Sequence, residues 1–353
     1  MKLLIITDAW KPQINGVVTT YTNLIKELSK LGVNVQVVQP SLGKTFPLFF
    51  YKQIDVCLNP LTILSNINLK EFDSIHIATE GPLGLCARIL LSFNSIEYTT
   101  AYHTRFPEYF QKKFKLSPTI IYFYLRWFHK SSQKVFTSSK SHMKDLKEKG
   151  FNNLTSWSRG IDPLVFKPQM DRSFPKYILY VGRVSDEKNI RDFLKIDLNK
   201  ININNEMLTK VVIGDGPDLK KYMKQFPDCI FLGSLTGDDL AKWYSNAIAF
   251  VFPSKTDTFG IVNIESLACG TPVAAYPTIG PIDIIKNGIN GCLFHDLEEA
   301  INECLRIPPS RCIKSSESYR WDNVAKDFIL QTMTKTNQFE SDNLSICLLY
   351  TSD

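Results

Sequence analysis

The sequence lacks the cysteine patterns of metal-binding and disulfide-rich proteins. Its eight cysteines are scattered, with no Cys-x-x-Cys pair and no histidine at a partnering ligand spacing. This distribution argues against a zinc module and against a disulfide framework, and it favours a reduced, cytosolic protein.

Long apolar runs are also missing. No segment approaches the roughly 18 apolar residues that a membrane-spanning helix needs. The N-terminal segment Met1–Asp8 becomes polar too soon for a signal peptide, and we interpret it as a first strand. There is no internal repeat and no low-complexity tract, so we expect ordinary globular domains.

The bulk composition is that of a globular protein with a sizeable core. A length of 353 residues fits two domains, and the chain is 44% apolar and 22% charged. The net charge of +6 is modest. It permits an anionic partner, whether nucleotide, acidic lipid surface or nucleic acid, without choosing among them.

Short β-branched runs alternate with helix-like segments, which predicts parallel sheets with helices on both faces. We expect a domain over residues 1–165, a second over 166–318 and a returning helix over 319–336, with a linker near 160–175. Residues 337–353 lose the pattern, and we assign them no function. The predicted strands are 2–7, 35–39, 74–78, 97–101 and 134–138 in the first series and 177–181, 210–213, 229–232, 249–252 and 273–275 in the second.

Two carboxylates eight positions apart form the most informative motif. Asp257 precedes the turn Phe259-Gly260, and Glu265 lies in the helix that Ile261 opens. Carboxylates can hold sugar hydroxyls, and N–H groups at a helix N-terminus can hold a diphosphate. The motif therefore predicts a nucleotide-sugar site.

Arg183 and Lys188 flank a predicted strand-to-helix turn. They could converge on a diphosphate, with the arginine as a fork and the lysine as a point charge. The alternative is a solvated turn with ordinary surface cations.

Four further candidates follow predicted strands in the first half. Gly16, at the start of a helix predicted over 17–31, would let backbone N–H groups approach a phosphate, or would simply form a tight turn. His103 and Arg105 follow the strand at 97–101, although a lone histidine is usually structural. Glu80 is either an acceptor ligand or an acid placed at a helix N-terminus by the dipole.

Two other segments allow competing interpretations. The aromatic and basic segment 118–130, with Ser117 as predicted N-cap, would either lie on an acidic membrane or pack as a core helix. Asp215 and Asp218 resemble a metal-binding pair, but a strand-to-helix turn with Asp218 as N-cap explains them better. We predict no metal and no other cofactor.

Taken in order, these segments resemble the retaining nucleotide-sugar glycosyltransferases of family 4, which have the GT-B fold. The resemblance covers residues 1 to about 336. It implies two Rossmann-like α/β domains facing a central cleft. The motifs that carry it are the Asn15-Gly16 loop, 99–107, 157–162, 182–190, 212–217 and 257–277. Within the family, 256–260 and 276–283 are similar to the branch of glycolipid mannosyltransferases and sulfoquinovosyl transferases.

The resemblance implies a role for each candidate residue. Arg183 and Lys188 would bind the diphosphate, Asp257 the donor sugar and Glu265 the ribose, with Gly16, Phe259, Gly260 and Ile261 completing the donor site. His103 would lie near the donor sugar's C6 hydroxyl, so the catalytic set is His103, Arg183, Lys188 and Asp257. Most members have glutamate where this chain has Asp257, which shortens the reach by one methylene and leaves the donor sugar open.

The resemblance implies an α-glycosyltransferase that moves a sugar from a UDP- or GDP-sugar to a lipid or glycolipid at the inner membrane face. Leaving-group charge on the diphosphate would be stabilised by fixed cations and N–H dipoles. Glu80 and Arg105 would lie on the acceptor side, and we expect no nucleic-acid partner. The alternatives are an enzyme of soluble or cell-surface polysaccharide synthesis and a nucleotide-sugar epimerase.

Overall fold

A computed structural model describes residues 1–13, 15–48, 51–103, 117–169, 171, 174–203 and 206–333, with the backbone alone at 48 and 51–54. These residues form two compact units. The N-terminal unit comprises Met1–Ser158 and the described residues from Asp322 onward, and the C-terminal unit comprises Arg159–Trp321. Residues 337–353 lie outside the described part of the chain.

The N-terminal unit is built on a sheet of six parallel strands in the order β2-β1-β5-β6-β7-β8. The strands are β1 (Lys2–Ile6), β2 (Asn34–Val38), β5 (Ser74–Ile77), β6 (Thr99–Tyr102), β7 (Val135–Thr137) and β8 (Leu154–Ser156), and a separate antiparallel hairpin joins β3 (Thr45–Leu48) to β4 (Tyr51–Cys57). Its helices are α1 (Gly16–Lys30), α2 (Pro60–Ser65), α3 (Pro82–Phe93), α4 (Pro118–His129) and α5 (Lys140–Glu148).

The apolar pattern of the sequence explains these elements. Leu3 to Ile6 are all completely buried, as expected for a parallel strand covered on both faces. Helix α1 buries Val18, Tyr21, Leu24 and Leu28 on one stripe. It ends before Gly32, whose φ of 75° is in the left-handed region that favours glycine.

The C-terminal unit has a second parallel six-stranded sheet in the order β11-β10-β9-β12-β13-β14. Its strands are β9 (Lys176–Val181), β10 (Leu208–Ile213), β11 (Cys229–Phe231), β12 (Ala249–Phe252), β13 (Val273–Ala275) and β14 (Gly291–Leu293). Its helices are α6 (Ile190–Leu194), α7 (Leu219–Gln225), α8 (Gly237–Asn246), α9 (Ile261–Ala268), α10 (Pro281–Ile284), α11 (Leu297–Cys304) and α12 (Pro309–Ser316).

Helix α13 (Trp321–Thr332) packs on the N-terminal unit. The Trp157 indole donates to the Val324 carbonyl at 3.2 Å, and the Ser74 hydroxyl donates to the Thr332 carbonyl at 2.9 Å. The Phe328 ring lies 5.0 Å from the Trp157 ring. The last described helix is therefore part of the first domain's core, although it is more than 150 residues away along the chain from β8.

The predicted fold class, two parallel-sheet α/β domains, is confirmed. The prediction missed β8, β14 and the β3–β4 hairpin. Strands β8 and β14 have three residues each and lie at sheet edges, too short for a periodic pattern to show. Among the described residues, no helix has the length and apolar character needed to cross a membrane.

Candidate functional site

The loops after β9 and β10 pack closely, and this contact fixes the backbone that carries Arg183 and Lys188. Gly214 has φ 142°, and a Cβ there would lie 1.9 Å from the Gly182 carbonyl oxygen. The Val184 N–H donates to the Asp215 carbonyl at 2.9 Å. Glycine at 214 is therefore required by the approach of the two loops.

The turn at 186–189 is anchored from two sides. The Asp186 carboxylate accepts from the Tyr222 hydroxyl and from Lys221 Nζ, the latter at 3.1 Å, and these bonds lower the pKa of Asp186. The Asn189 amide donates to the Pro253 carbonyl at 3.1 Å, from a left-handed backbone with φ 55°. The turn is thus held against both α7 and the end of β12.

The pair Asp215 and Asp218 is part of this support. Asp218 occupies the N-cap position of α7, but its side chain makes no capping bond there. Its Oδ2 accepts from the Asp186 N–H at 2.9 Å instead. The predicted N-cap position of Asp218 is therefore confirmed, but its carboxylate binds the neighbouring loop and not the N–H groups of α7.

Lys188 and Asp257 are in direct contact. Lys188 Nζ lies 2.6 Å from Asp257 Oδ1, and the two side chains are 27% and 23% exposed. The Thr256 hydroxyl donates to the Glu187 backbone carbonyl at 3.2 Å, so a second hydrogen bond joins the two loops. The structure brings together a cation and an acid that are 69 residues apart in the sequence.

Arg183 occupies a more open position than Lys188. Its side chain is 55% exposed, and its Nη1 lies 3.8 Å from Glu187 Oε1. Its carbonyl accepts from the buried Tyr180 hydroxyl at 2.9 Å, which fixes the backbone. A rigid base with an exposed guanidinium suits capture of an anion from solvent.

The turn before α9 requires glycine for two reasons. Gly260 has φ 84°, and a Cβ there would lie 2.6 Å from Asn263 Nδ2 and 2.8 Å from Phe252 Cζ. The preceding Phe259 is buried, with its ring 6.0 Å from that of Tyr319. Phe259 therefore anchors the turn in the core, and Ile261 begins the helix that carries Glu265.

Glu265 lies in a half-buried position on α9. Its Oε2 accepts from the Tyr244 hydroxyl at 3.1 Å. Desolvation raises the pKa of Glu265 to about 7, although the bond from Tyr244 acts in the opposite direction. This carboxylate therefore changes charge near neutral pH.

In the N-terminal unit, Gly16 opens α1 beside a capping side chain. Asn15 Oδ1 accepts from the Val17 and Val18 N–H groups, both at 3.0 Å. No described atom lies within 4 Å of a Cβ built on Gly16. The described surroundings therefore leave space for a ligand at residue 16. Because Asn15 Oδ1 already accepts from the Val17 and Val18 N–H groups, a phosphate would bind the Gly16 N–H or would have to displace the Asn15 side chain.

His103 follows β6, and its Nε2 lies 3.0 Å from the hydroxyl oxygen of Tyr21. Arg105 lies outside the described residues. Glu80 follows β5, but its side chain is only 6% exposed, and its Oε1 lies 3.4 Å from His129 Nε2. The carboxylate of Glu80 therefore faces the interior of its own unit.

Asp8 is a half-buried acid that was not among the predicted site residues. Its carboxylate accepts from the Leu83 N–H at 2.8 Å and from the Gly84 N–H at 3.1 Å. Burial raises its pKa, despite these two bonds. Asp8 therefore caps the N-terminus of α3. One of the two interpretations of Glu80 had placed that acid at the helix N-terminus instead. Its place two residues after β1 was the available signal.

Helix α4 has an apolar face that the core does not cover. Ile120 and Phe123 are 69% and 68% exposed, and Trp127 lies under the Arg88 guanidinium at 3.8 Å. Helix α4 nevertheless buries Leu125, Phe128 and His129. Ser117 occupies the predicted N-cap position of α4, although its side chain makes no capping hydrogen bond. Lys112, Lys113 and Lys115 lie outside the described residues.

Two family models match the chain, one for each half. Residues 14–163 match "Glycosyltransferase Family 4", and residues 166–317 match "Glycosyl transferases group 1". The two matches meet near the point where the structure divides into its units.

Curated relatives match most of the chain. A GDP-mannose-dependent alpha-mannosyltransferase of Corynebacterium glutamicum is 27% identical over 83% of this chain and 76% of its own length. A sulfoquinovosyl transferase of Arabidopsis thaliana is 27% identical over 82% of this chain and 63% of its own. An alpha-monoglucosyldiacylglycerol synthase of Streptococcus pneumoniae is 27% identical over 88% and 79%.

Solved structures share the architecture at low sequence identity. Sucrose-phosphate synthase of Thermosynechococcus elongatus has a TM-score of 0.73 at 16% identity, covering 94% of this chain and 98% of that one. An Anabaena protein solved with UDP and glucose has a TM-score of 0.64 at 16% identity, covering 98% and 99%. At this identity the likeness shows the fold alone.

Proposed function

Because the chain belongs to the family 4 glycosyltransferases, we propose that it is a retaining α-glycosyltransferase using a UDP- or GDP-sugar. The acceptor is a hydroxyl of a lipid or glycolipid, such as one based on diacylglycerol. The observation that carries the donor assignment is the convergence of Lys188 and Asp257 beside the glycine turn of α9.

The C-terminal unit supplies the groups for the diphosphate and the ribose. The exposed Arg183 guanidinium and Lys188 Nζ bind phosphate oxygens, and Asp257 binds a sugar hydroxyl. Glu265 accepts hydrogen bonds from the ribose hydroxyls, and these strengthen when its carboxylate is ionised. Arg183 and Lys188 neutralise the charge that builds on the departing diphosphate.

The proposed reaction uses these cations in place of a metal ion. Same-face attack, with the acceptor proton passing to the departing phosphate, retains the configuration without a protein nucleophile. Turnover should therefore survive EDTA. Loss of turnover in EDTA that Mg²⁺ restores would contradict this part of the proposal.

The N-terminal unit supplies two residues for the donor and the membrane-facing features of the proposal. Gly16 and His103 are assigned to the donor phosphate and sugar. The exposed Ile120 and Phe123 on α4, with Arg126 and Lys130 nearby in sequence, suit contact with an anionic bilayer. One relative is named for making a glucosylated diacylglycerol, which supports a lipid acceptor.

Both nucleotides stay in the proposal because different proteins support each. The Corynebacterium relative is named for its dependence on GDP-mannose, and the Anabaena structure holds UDP. Specificity rests on a few pocket hydrogen bonds that these similarities do not report.

The test is transfer from radiolabelled UDP- and GDP-sugars to lipid vesicles. We compare the wild-type enzyme with Lys188→Ala and with Lys176→Ala. Lys176 is a matched control, because it is also a lysine paired with an acid, Glu206, at 2.7 Å. It lies at the start of β9, whereas Lys188 follows the end of that strand. We expect Lys188→Ala to lose turnover and Lys176→Ala to keep it. Equal turnover in both variants would refute the site assignment, and donor conversion without an acceptor would indicate an epimerase.

A further inference from the structure

A chain of hydrogen bonds leads from His103 into the core of the N-terminal unit. Its Nε2 lies 3.0 Å from the Tyr21 hydroxyl oxygen, and the same oxygen lies 2.7 Å from His76 Nε2. His76 Nδ1 in turn lies 2.8 Å from the Thr99 hydroxyl. The chain joins α1, β5 and β6, so residues 55 and 82 positions apart meet at one hydroxyl.

The inner part of this chain is completely buried. Tyr21 and His76 have no exposed surface, and Thr99 has 1%. The His76 ring lies 5.2 Å from Phe136 and 5.1 Å from Phe328, so its surroundings beyond the chain are largely aromatic. Buried polar groups are costly unless they are hydrogen-bonded. The fold therefore buries a chain of polar side chains, at a cost in desolvation, and this chain ends at His103 next to β6.

The geometry at Tyr21 restricts the two histidines. A phenol has one proton, so its oxygen can donate to one ring nitrogen and accept from the other. In a neutral imidazole, one nitrogen carries the proton and the other accepts. If Tyr21 donates to His103, His76 Nε2 carries a proton; if Tyr21 donates to His76, His103 Nε2 carries one.

We propose that Tyr21 and His76 are positioning residues that hold the His103 ring and link its tautomer to that of His76. The inference rests on the proposed function, because it is that proposal which assigns His103 to the donor sugar. Fixing Nε2 also fixes the role of His103 Nδ1, which is of the opposite kind. The chain then determines whether His103 donates to, or accepts from, a sugar hydroxyl.

The ring edge of His103 is also held sterically. The Tyr21 and His103 rings meet edge to face, with centroids 5.5 Å apart and planes at 87°. Phenylalanine at 21 would keep this ring contact and remove only the hydroxyl. Tyr21→Phe therefore separates the hydrogen bond from the packing.

The first test is ¹⁵N NMR of the histidine rings in the whole protein at neutral pH, without donor. The chain has five histidines, which single substitutions assign. We expect opposite forms at the two Nε2 atoms: a pyrrole-type shift on one of His76 and His103 and a pyridine-type shift on the other. In Tyr21→Phe, the His103 shifts should move toward those of a solvent-exposed histidine.

Three variants sharpen the test. Tyr98→Phe is the control, because its buried hydroxyl pairs with Ser92 at 3.2 Å in the same unit. His76→Gln keeps an amide that can bond to Tyr21, whereas His76→Phe does not. We expect the His103 spectrum to be unchanged in Tyr98→Phe, partly restored in His76→Gln and altered in His76→Phe.

Kinetics then connect the spectrum to turnover. Tyr21→Phe should lower kcat roughly 3- to 10-fold, the range that one hydrogen bond of ordinary net strength provides, with the donor KM nearly unchanged. The same form at both Nε2 atoms, or a His103 spectrum that Tyr21→Phe leaves unmoved, would overturn the proposal. An altered spectrum in a protein that transfers no sugar would support the positioning and refute the proposed function instead.

Discussion

The contact between Lys188 and Asp257 predicts that the enzyme's own carboxylate competes with the donor diphosphate for the lysine. Their atoms are 2.6 Å apart, and about three quarters of each side chain is buried. Opposite charges ~4 Å apart attract by about 1 kcal/mol in water and about 4 kcal/mol at an effective dielectric constant of 20. Measured exposed pairs contribute roughly 0.2–1 kcal/mol, so we place this coupling near the upper end, at ~1 kcal/mol.

Asp257→Asn removes this competition and keeps the shape of the side chain. A coupling of ~1 kcal/mol corresponds to about fivefold in Kd. We therefore expect the variant to bind UDP or GDP, without a sugar, up to about fivefold more tightly than wild type. Turnover should nevertheless fall at least about tenfold, because the sugar loses a contact that strengthens in the transition state.

Lys188→Ala should act in the opposite direction on binding. A hydrogen bond to a charged group contributes roughly 1.5–3 kcal/mol, so nucleotide affinity should fall about 10- to 100-fold. Calorimetric titration of UDP and GDP into both single variants and the double variant gives the coupling directly. The surface pair Lys176 and Glu206 serves as the control cycle.

One result would refute this reasoning. If Asp257→Asn bound the nucleoside diphosphate tenfold more weakly than wild type, the carboxylate would support the phosphate site and not compete for it. The salt dependence of the difference in nucleotide affinity between Asp257→Asn and wild type provides a second check. This difference should shrink as salt rises, because salt screens the competing ion pair.

Three further predictions concern Glu265, Gly260 and α4. The pKa of Glu265 is raised to about 7, so the protonated side chain contributes to folding stability fully below pH ~4.5, and this contribution is lost as pH rises through 7. Nucleotide affinity should rise over the same pH range as the carboxylate ionises, and calorimetry of Glu265→Gln should show no such rise. Gly260→Ala should lower stability by roughly 1–3 kcal/mol in thermal unfolding, more than Gly237→Ala, which has φ 61° and open space at its Cβ; equal losses would show that the crowding at residue 260 is unimportant. Phe123→Asp should reduce sedimentation with anionic liposomes, whereas Met223→Asp, at an exposed apolar residue of the C-terminal unit, should not.

The sequence predicted the elements that carry a long periodic or apolar pattern. Helix α1 was predicted over 17–31 and spans Gly16–Lys30, and strand β1 was predicted over 2–7 and spans Lys2–Ile6. Short edge strands such as β14 were missed, because three residues carry too little pattern. The β3–β4 hairpin was missed too, since Pro47 lies within it and breaks the usual strand signal.

The candidate donor site was predictable where its residues lie in one loop. Asp257 and Glu265 are read from one motif, but the contact of Asp257 with Lys188 depends on the order of strands β9 and β12 in the sheet. The same limit explains Tyr21 and His76. Both look like core residues in the sequence, and only the fold brings them to His103. Glu80 was assigned to the acceptor side, but the structure turns its side chain toward the buried His129. His129 is 49 residues away along the chain, so the sequence pattern around Glu80 could not show this contact.

The most direct measurement of the central claim is sugar transfer with a defined donor and acceptor. Purified protein is incubated with radiolabelled UDP- or GDP-sugars and diacylglycerol-containing anionic vesicles, and the organic phase is analysed. We predict labelled glycolipid from the wild-type enzyme and from Lys176→Ala, and none above background from Lys188→Ala. Labelled lipid made equally by Lys188→Ala, or no labelled product with any donor and acceptor, would contradict the account.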